Sequence, residues 1–281
     1  NITIVGAGLA GSLCALYLTK RGHNVSIFER RNDLRTEIIT AGKSINLALS
    51  KRGLTALKKV GVDAEVMKIA IPMDKRIMHD DKGNLTEQLY GNQGQAIYSV
   101  SRAQLNVLMM KLAAKNGADL YFNEKCVEAN LEQASVVFEN TNTNQKQTVT
   151  SDLIIGADGA FSAVRKKMVE QYDHEFNYNK IEHDYKELHI PAGKNGTFLL
   201  DKNALHIWPR GEFMLIALAN LDGSFTCTLF APKKGEKSFE GLNSRIEVEN
   251  YFSTIFPDFL NLVTDLYEQW IANPTSGLGI I

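Results

Sequence analysis

The chain has 281 residues, 44 % hydrophobic and 22 % charged, with 31 Lys plus Arg against 32 Asp plus Glu. That length predicts two domains or one large α/β domain, with core enough to fold unaided, and the composition excludes wholesale disorder. A net charge of −1 argues against a broad nucleic-acid footprint or a polybasic membrane surface. No apolar run approaches the ~20 residues that span a bilayer. Cys14, Cys126 and Cys227 are scattered, with neither zinc-type nor disulfide-framework spacing, which predicts a reducing, cytoplasmic compartment.

In chain order, Ile2 to Val5 predicts a strand running into Gly6-Ala7-Gly8-Leu9-Ala10-Gly11. Leu9, Leu13, Leu16 and Tyr17 then recur at helical spacing up to Arg21-Gly22, and Val25 to Phe28 predicts a second strand ending at Glu29. Arg30 to Thr40 has no apolar rhythm and reads as loop, after which Ser50 is placed to cap a short helix carrying Leu54, Leu57 and Val60. From Ile71 to Ser99 the pattern changes to short strands around the turn Asp80-Asp81-Lys82-Gly83-Asn84. Ser101 and Gln104 form a capping box for a second helix that ends at Gly117. Short strands follow at 119–122, 126–131 and 136–139, and Leu153-Ile154-Ile155 predicts a buried strand entering Gly156-Ala157-Asp158-Gly159. Beyond Val169, alternating segments predict a mostly antiparallel sheet, then an amphipathic helix from Arg245 to Phe256. The chain opens at Asn1, directly before a core strand, and Gly277 to Ile281 again reads as a strand. Both ends therefore predict a portion of a longer protein.

The Gly6 to Gly11 turn follows a strand, opens a helix, and has an acid at Glu29, close to the expected ~20 residues downstream. In such a turn the first glycine makes the bend, the second admits a pyrophosphate, and the third lets helix and strand pack closely. The helix N-terminus binds the phosphates, and Glu29 is placed to accept from a ribose. FAD and NAD both suit the unit. What favours FAD is the break in strand–helix alternation near residue 71 and the second glycine-acid turn at Asp158; an ordinary strand-end turn is the alternative there.

These motifs resemble the flavin-dependent aromatic hydroxylases: Gly6 to Gly11 with Glu29-Arg30-Arg31, Ser101-Arg102, and Gly156-Ala157-Asp158-Gly159-Ala160 with Ser162 and Arg165. Further stretches are similar to the branch of that family that hydroxylates kynurenine: Gly42 to Ser50, Ile71-Pro72-Met73 to Tyr90-Gly91, Tyr185 to Leu188, Leu205 to Pro209 and Ser224 to Phe230. The resemblance covers nearly the whole chain. It implies an α/β fold: a Rossmann-like FAD-binding domain (1–70 and 100–172) and a mixed, largely antiparallel substrate-binding sheet (71–99 and 173–281). It also implies bound FAD, NADPH as co-substrate, and hydroxylation of L-kynurenine by O2 beside its ring amino group. A related FAD monooxygenase on another aromatic acid, or a flavin-binding fragment without turnover, are the alternatives. The family's later glycine-aspartate motif, and an Asn and a Tyr that hold substrate, lie beyond Ile281; this chain alone is therefore expected to show little hydroxylation.

The two turns place FAD contacts on Gly6, Gly8, Gly11 and Asp158; residue by residue, the resemblance adds Leu9, Ala10, Phe28, Glu29, Arg30, Arg31, Ala48, Arg102 and Cys126. It places substrate contacts on Arg76 and Tyr90, with Met214, Ile216 and Phe230 as apolar walls. The chemistry is apt, since a guanidinium grips a carboxylate through two parallel donors. Arg102, in a helix's first turn, opposes the dipole and so answers to a ligand. By sequence alone, Met214 and Ile216 merely share a sheet face, and His206 reads as a satisfied core histidine. No metal is assigned, and no protein side chain is assigned a covalent role, because the cofactor carries the difficult chemistry.

Overall fold

A computed structural model describes residues 1–37, 45–172, 177 and 179–280. The Gly42-Lys43-Ser44 part of the resemblance lies outside the described residues. In chain order, the first elements are β1 (Ile2–Val5), α1 (Leu9–Thr19), β2 (Val25–Glu29), β3 (Asn46–Leu49), α2 (Lys51–Lys59), α3 (Asp63–Met67), β4 (Ala70–Met73), β5 (Lys75–His79) and β6 (Leu85–Leu89). The middle of the chain forms β7 (Ile97–Ser101), α4 (Arg102–Lys115), β8 (Asp119–Phe122), β9 (Glu124–Asn130), β10 (Ser135–Asn140), β11 (Lys146–Thr150), β12 (Leu153–Gly156) and α5 (Ala163–Tyr172). The last are β13 (Asn179–Ile190), β14 (Ala204–Arg210), β15 (Phe213–Ala219), β16 (Phe225–Pro232), α6 (Arg245–Ile255), α7 (Pro257–Leu260), α8 (Leu266–Ala272) and β17 (Ser276–Ile280).

The α/β expectation holds. β12-β1-β2-β8 form a parallel sheet, which needs apolar cover on its faces. α1 and α4 supply part of it, burying Leu16, Leu105, Met109 and Met110 against Ile4 and Ile27. The Ser101 hydroxyl accepts from the Gln104 backbone N–H at the start of α4, as its spacing predicts. Ser50 stands at the N-cap of α2, but its side chain makes no capping bond. The strand at Leu153 is also not the buried strand its apolar run suggests. Among the described residues β12 pairs only with β1 and forms the sheet edge, so Leu153 stays 48 % exposed.

The alternating segments beyond residue 169 form a seven-stranded sheet in the order β17-β13-β16-β15-β14-β5-β6, antiparallel except where β14 meets β5. Its two faces differ because side chains alternate along each strand. Leu188, Trp208, Leu215, Cys227 and Leu229 point to one face, where Val248, Phe252, Phe256, Phe259 and Trp270 of α6–α8 cover them. α6 starts with the reciprocal capping box of Ser244 and Glu247. Lys186 is buried on the helix side, where its Nζ donates to the Trp270 and Asn273 carbonyls at the end of α8. A cation at a helix C-terminus is favoured by the dipole. A small sheet, β3-β7-β4, joins the two larger ones. Asn46 Nδ2 and Ser99 Oγ donate to carbonyls at the end of β15. Among the described residues no helix is long and apolar enough to cross a membrane.

Candidate functional site: a nucleotide crevice and an open sheet face

Val5 and Gly156 are paired at the carboxyl ends of adjacent parallel strands, so the two glycine turns that follow lie side by side. Gly6 has φ +102°, and a Cβ there would lie 2.6 Å from the Ala157 carbonyl oxygen. A Cβ on Gly11 would lie 2.0 Å from the Gly6 carbonyl oxygen, so α1 packs against its own turn at a distance only glycine allows. Gly8 differs from both. Among the described residues a Cβ there meets nothing within 4 Å, and no side chain caps the α1 N-terminus behind it. The chain thus presents open backbone and a positive dipole end to a crevice, the arrangement that receives phosphate.

That crevice has a volume of about 290 Å³ and is lined by Gly6, Gly8, Phe28, Glu29, Arg30, Arg31, Arg102, Cys126 and Asp158, among others. Nine of the cofactor residues named from sequence therefore converge. Leu9, Gly11 and Ala48 do not line it, and Ala10 lines a neighbouring cavity behind the second turn. Phe28 is held flat between Phe138 and Tyr121, with ring centroids at 4.1 and 4.6 Å.

Glu29 is 5 % exposed. Its Oε2 accepts from the Ala7 backbone N–H at 2.8 Å, and its Oε1 from Arg31 Nε at 2.7 Å and Arg31 N at 3.1 Å. Burial pushes the carboxyl up, but Arg31 and the backbone donors outweigh it and hold it below the ordinary carboxylate range. Sequence reasoning assigned this acid to a ribose alone; here it also ties the end of β2 to the β1–α1 turn. Asp158 is likewise divided. Its Oδ2 accepts from the Ala163 N–H at 2.7 Å at the start of α5, while its Oδ1 is buried without a protein partner. Burial foremost, then the Asp158 charge, raises the Cys126 thiol to about 11; it is a protonated wall residue at neutral pH.

The second group lies on the seven-stranded sheet. Arg76, Ile216, Met214 and Phe230 share the face opposite α6–α8, as the pairings Arg76 with Gln88, Arg76 with Leu205, Ile207 with Ile216 and Met214 with Phe230 require. Tyr90 directly follows β6, its backbone N–H donating to the Asp74 carbonyl just ahead of β5. Arg76 Nε donates to Gln88 Oε1 at 2.7 Å. Gln88 was missed from sequence, although it stands as far after the Asp80–Asn84 turn as Arg76 stands before it. Tyr90 is kept protonated by burial, which Arg76 partly opposes. Met214 is 42 % exposed, so as an apolar wall it is open to solvent here.

The family model for the FAD binding domain matches residues 1–191. The chain belongs to that FAD-binding family. The residues present suit the cofactor: open backbone at Gly8, an uncapped helix end, and a buried, unpartnered Asp158 oxygen all face one crevice. The chain is 49 % identical over 279 residues to kynurenine 3-monooxygenase of Flavobacterium psychrophilum, covering 99 % of this chain and 62 % of that protein. It is 45 % identical to the enzyme of that name from Dictyostelium discoideum, covering 99 % of this chain and 59 % of that protein. The chain therefore spans about three fifths of the length of these relatives. Among solved structures, 2-methyl-3-hydroxypyridine-5-carboxylic acid oxygenase superposes with a TM-score of 0.73 at 19 % identity, over 99 % of this chain and 69 % of that one. p-Nitrophenol 4-monooxygenase of Pseudomonas putida gives 0.70 at 14 %, over 90 % and 62 %. At such identities these two likenesses speak for the fold.

Glu29→Ala is expected to weaken FAD binding by about 1.5–3 kcal/mol, the scale of hydrogen bonds to a charged group. It should also lower the stability of the cofactor-free protein, because the Ala7 N–H loses its acceptor. Fluorescence titration with FAD and thermal melts measure the two; an unchanged FAD affinity removes Glu29 from the site.

Proposed function

We propose that this chain carries the FAD-binding and substrate-binding parts of an NADPH-dependent aromatic hydroxylase that converts L-kynurenine to 3-hydroxykynurenine. The observation that carries the reading is the single sheet face uniting Arg76 with Ile216 and Phe230, with Tyr90 at the end of the neighbouring strand. The relatives' names supply the substrate. On this reading residues 1–70 and 100–172 form the FAD unit, 71–99 and 173–281 form the substrate unit, and the β3-β7-β4 sheet is their hinge of contact. The free state of Cys14, Cys126 and Cys227 supports a reducing, cytoplasmic setting.

FAD, reduced by NADPH, supplies the activation of O2 when bound. The chain's own residues bind and orient. Arg76, steadied by Gln88, presents two parallel donors to the substrate carboxylate. Tyr90, a neutral phenol, donates its O–H to the same group. Ile216 and Phe230 bear on the aromatic ring and exclude water from it, which protects a reactive oxygen species from decay. Gly8, the α1 N-terminus and Arg102 take the cofactor's phosphates, and Glu29 takes its ribose hydroxyls, displacing part of the Arg31 contact.

The test is kynurenine binding to FAD-loaded protein, followed by flavin absorbance. Arg76→Ala should weaken binding by about 1.5–3 kcal/mol while sparing FAD. Arg76→Lys should also be impaired, since an ammonium lacks the planar fork. A decarboxylated analogue should lose less. If Arg76→Ala binds kynurenine as the parent does, the face is not the substrate site; a parent that ignores kynurenine but binds another aromatic acid makes it a related monooxygenase.

A further inference from the structure

We infer that Glu187 is a specificity-determining residue that accepts a hydrogen bond from the ring amino group of the substrate, at the opposite end of the sheet face from Arg76. The inference rests on the reading above, and deepens it by assigning a recognition element to the far end of the ligand.

Glu187 lies on β13, paired with Thr228 of β16. Following that row across the sheet, Thr228 pairs with Ile216 and Ile216 with Ile207, which places Glu187 on the same face as Arg76 and the apolar walls. β13 and β5 stand four strand steps apart in the sheet, about 19 Å between main chains at ~4.8 Å per step. Arg76, bonded to Gln88 of the edge strand β6, and Glu187 thus mark opposite ends of one face, along which an aromatic ring with a short amino-acid tail lies. The floor between them is Ile207, Ile216 and Phe230, with the Thr228 hydroxyl beside Glu187; of these groups only the Glu187 carboxylate is a charged acceptor for an amino group.

The carboxylate itself has no structural employment. Among the described residues it has no hydrogen-bond or ion-pair partner; only the backbone carbonyl of Glu187 is used, accepting from Asn273 Nδ2. Its half-buried setting raises its pKa, and the one charge that opposes this is Arg102, which lines the nucleotide crevice. A half-buried carboxylate without a partner is costly. Facing the ligand side and within the field of Arg102, it is placed to take a neutral N–H donor. An arylamine offers two.

The experiment uses FAD-loaded protein carrying Glu187→Leu or Glu187→Gln, titrated with L-kynurenine and with its analogue lacking the ring amino group, 2-amino-4-oxo-4-phenylbutanoate. The parent should prefer kynurenine, and Glu187→Leu should weaken kynurenine by about 10- to 100-fold, the scale of a hydrogen bond to a charged group. The same variant should change the analogue by less than about 3-fold and so erase the preference. Glu187→Gln keeps one carbonyl acceptor and should retain part of it, with FAD affinity unchanged in both variants. Equal losses for the two ligands, or none for either, overturn the inference while leaving the substrate reading in place. A parent that binds neither ligand overturns the substrate reading, and this inference with it.

Discussion

Gly11→Ala is expected to destabilise the protein by about 3 kcal/mol or more, the upper range for overpacking a close contact, whereas Gly8→Ala should leave the fold intact and lose FAD. The two positions lie three residues apart in one turn, yet their surroundings are opposite. At Gly11 the added carbon would sit 2.0 Å from the Gly6 carbonyl oxygen and 3.3 Å from the Ala157 Cβ. Neither neighbour is the movable end of a long side chain, so relief requires α1 to shift off the sheet and strip cover from Ile4 and Ile27. At Gly8 the backbone is extended, with φ −68° and ψ −179°, which alanine adopts freely, and the new methyl enters open space. That space is where a pyrophosphate must approach. Thermal melts of the cofactor-free proteins should show Gly11→Ala lower by about 6–12 °C, at 2–4 °C per kcal/mol for a chain of this order, and Gly8→Ala within about a degree of the parent. FAD titration should show at least a tenfold loss in Gly8→Ala, worth about 1.4 kcal/mol. Unimpaired FAD binding by Gly8→Ala would refute the phosphate assignment.

That contrast also marks what was legible in the sequence. The β1–α1–β2 unit could be read because its determinants are local: a strand, glycines at fixed offsets, a helical apolar rhythm and an acid at the next strand end. That Met214 and Ile216 share a sheet face followed from period-two alternation, but their pairing with β16, and that of Arg76 with Gln88, did not. Other features were out of reach because they join residues far apart. β14 runs parallel to β5 although paired positions, such as Ala204 with Lys75, lie 129 apart in sequence, and no local pattern encodes that. Leu153 sits in an apolar run that cannot tell an edge strand from a central one. Glu29 was assigned a ligand role without the Ala7 N–H and Arg31 contacts, since both depend on how the turn folds back over β2.

Acidification from pH 6.5 to 4 is expected to cost the fold about 3 kcal/mol through His206 alone, at 1.36 kcal/mol per pKa unit. His206 is 2 % exposed on the helix-covered side of the seven-stranded sheet. Its Nε2 lies 2.9 Å from the Asp201 carbonyl oxygen and its Nδ1 2.9 Å from His79 Nε2, while His79 Nδ1 is 2.7 Å from Asp258 Oδ2. A carbonyl only accepts, so His206 donates from Nε2 and must accept at Nδ1 from His79. A proton added at Nδ1 would set two donors face to face. Burial first, with His79 and Lys75 against it, lowers the His206 pKa to about 4, although the Asp201 carbonyl favours the charged form. The folded value lies below the unfolded one of ~6.5, so the unfolded chain takes the proton first. The stabilisation is complete above pH 6.5, declines as pH falls, and is exhausted near pH 4. Asp258 acts in a lower window: burial raises its carboxyl, but the His79 and Trp208 hydrogen bonds prevail and hold it below the ordinary range. Its share is present above the unfolded carboxylate value and is lost as pH falls through the depressed one. Urea unfolding of parent and His206→Gln between pH 7 and 4 separates the two groups. Glutamine can donate to the Asp201 carbonyl and does not titrate, so the variant should be weaker at pH 7 but shallower by about 3 kcal/mol over the upper window. A parent with flat stability from pH 6.5 to 4.5, or a slope that survives in His206→Gln, would show that the proton goes elsewhere.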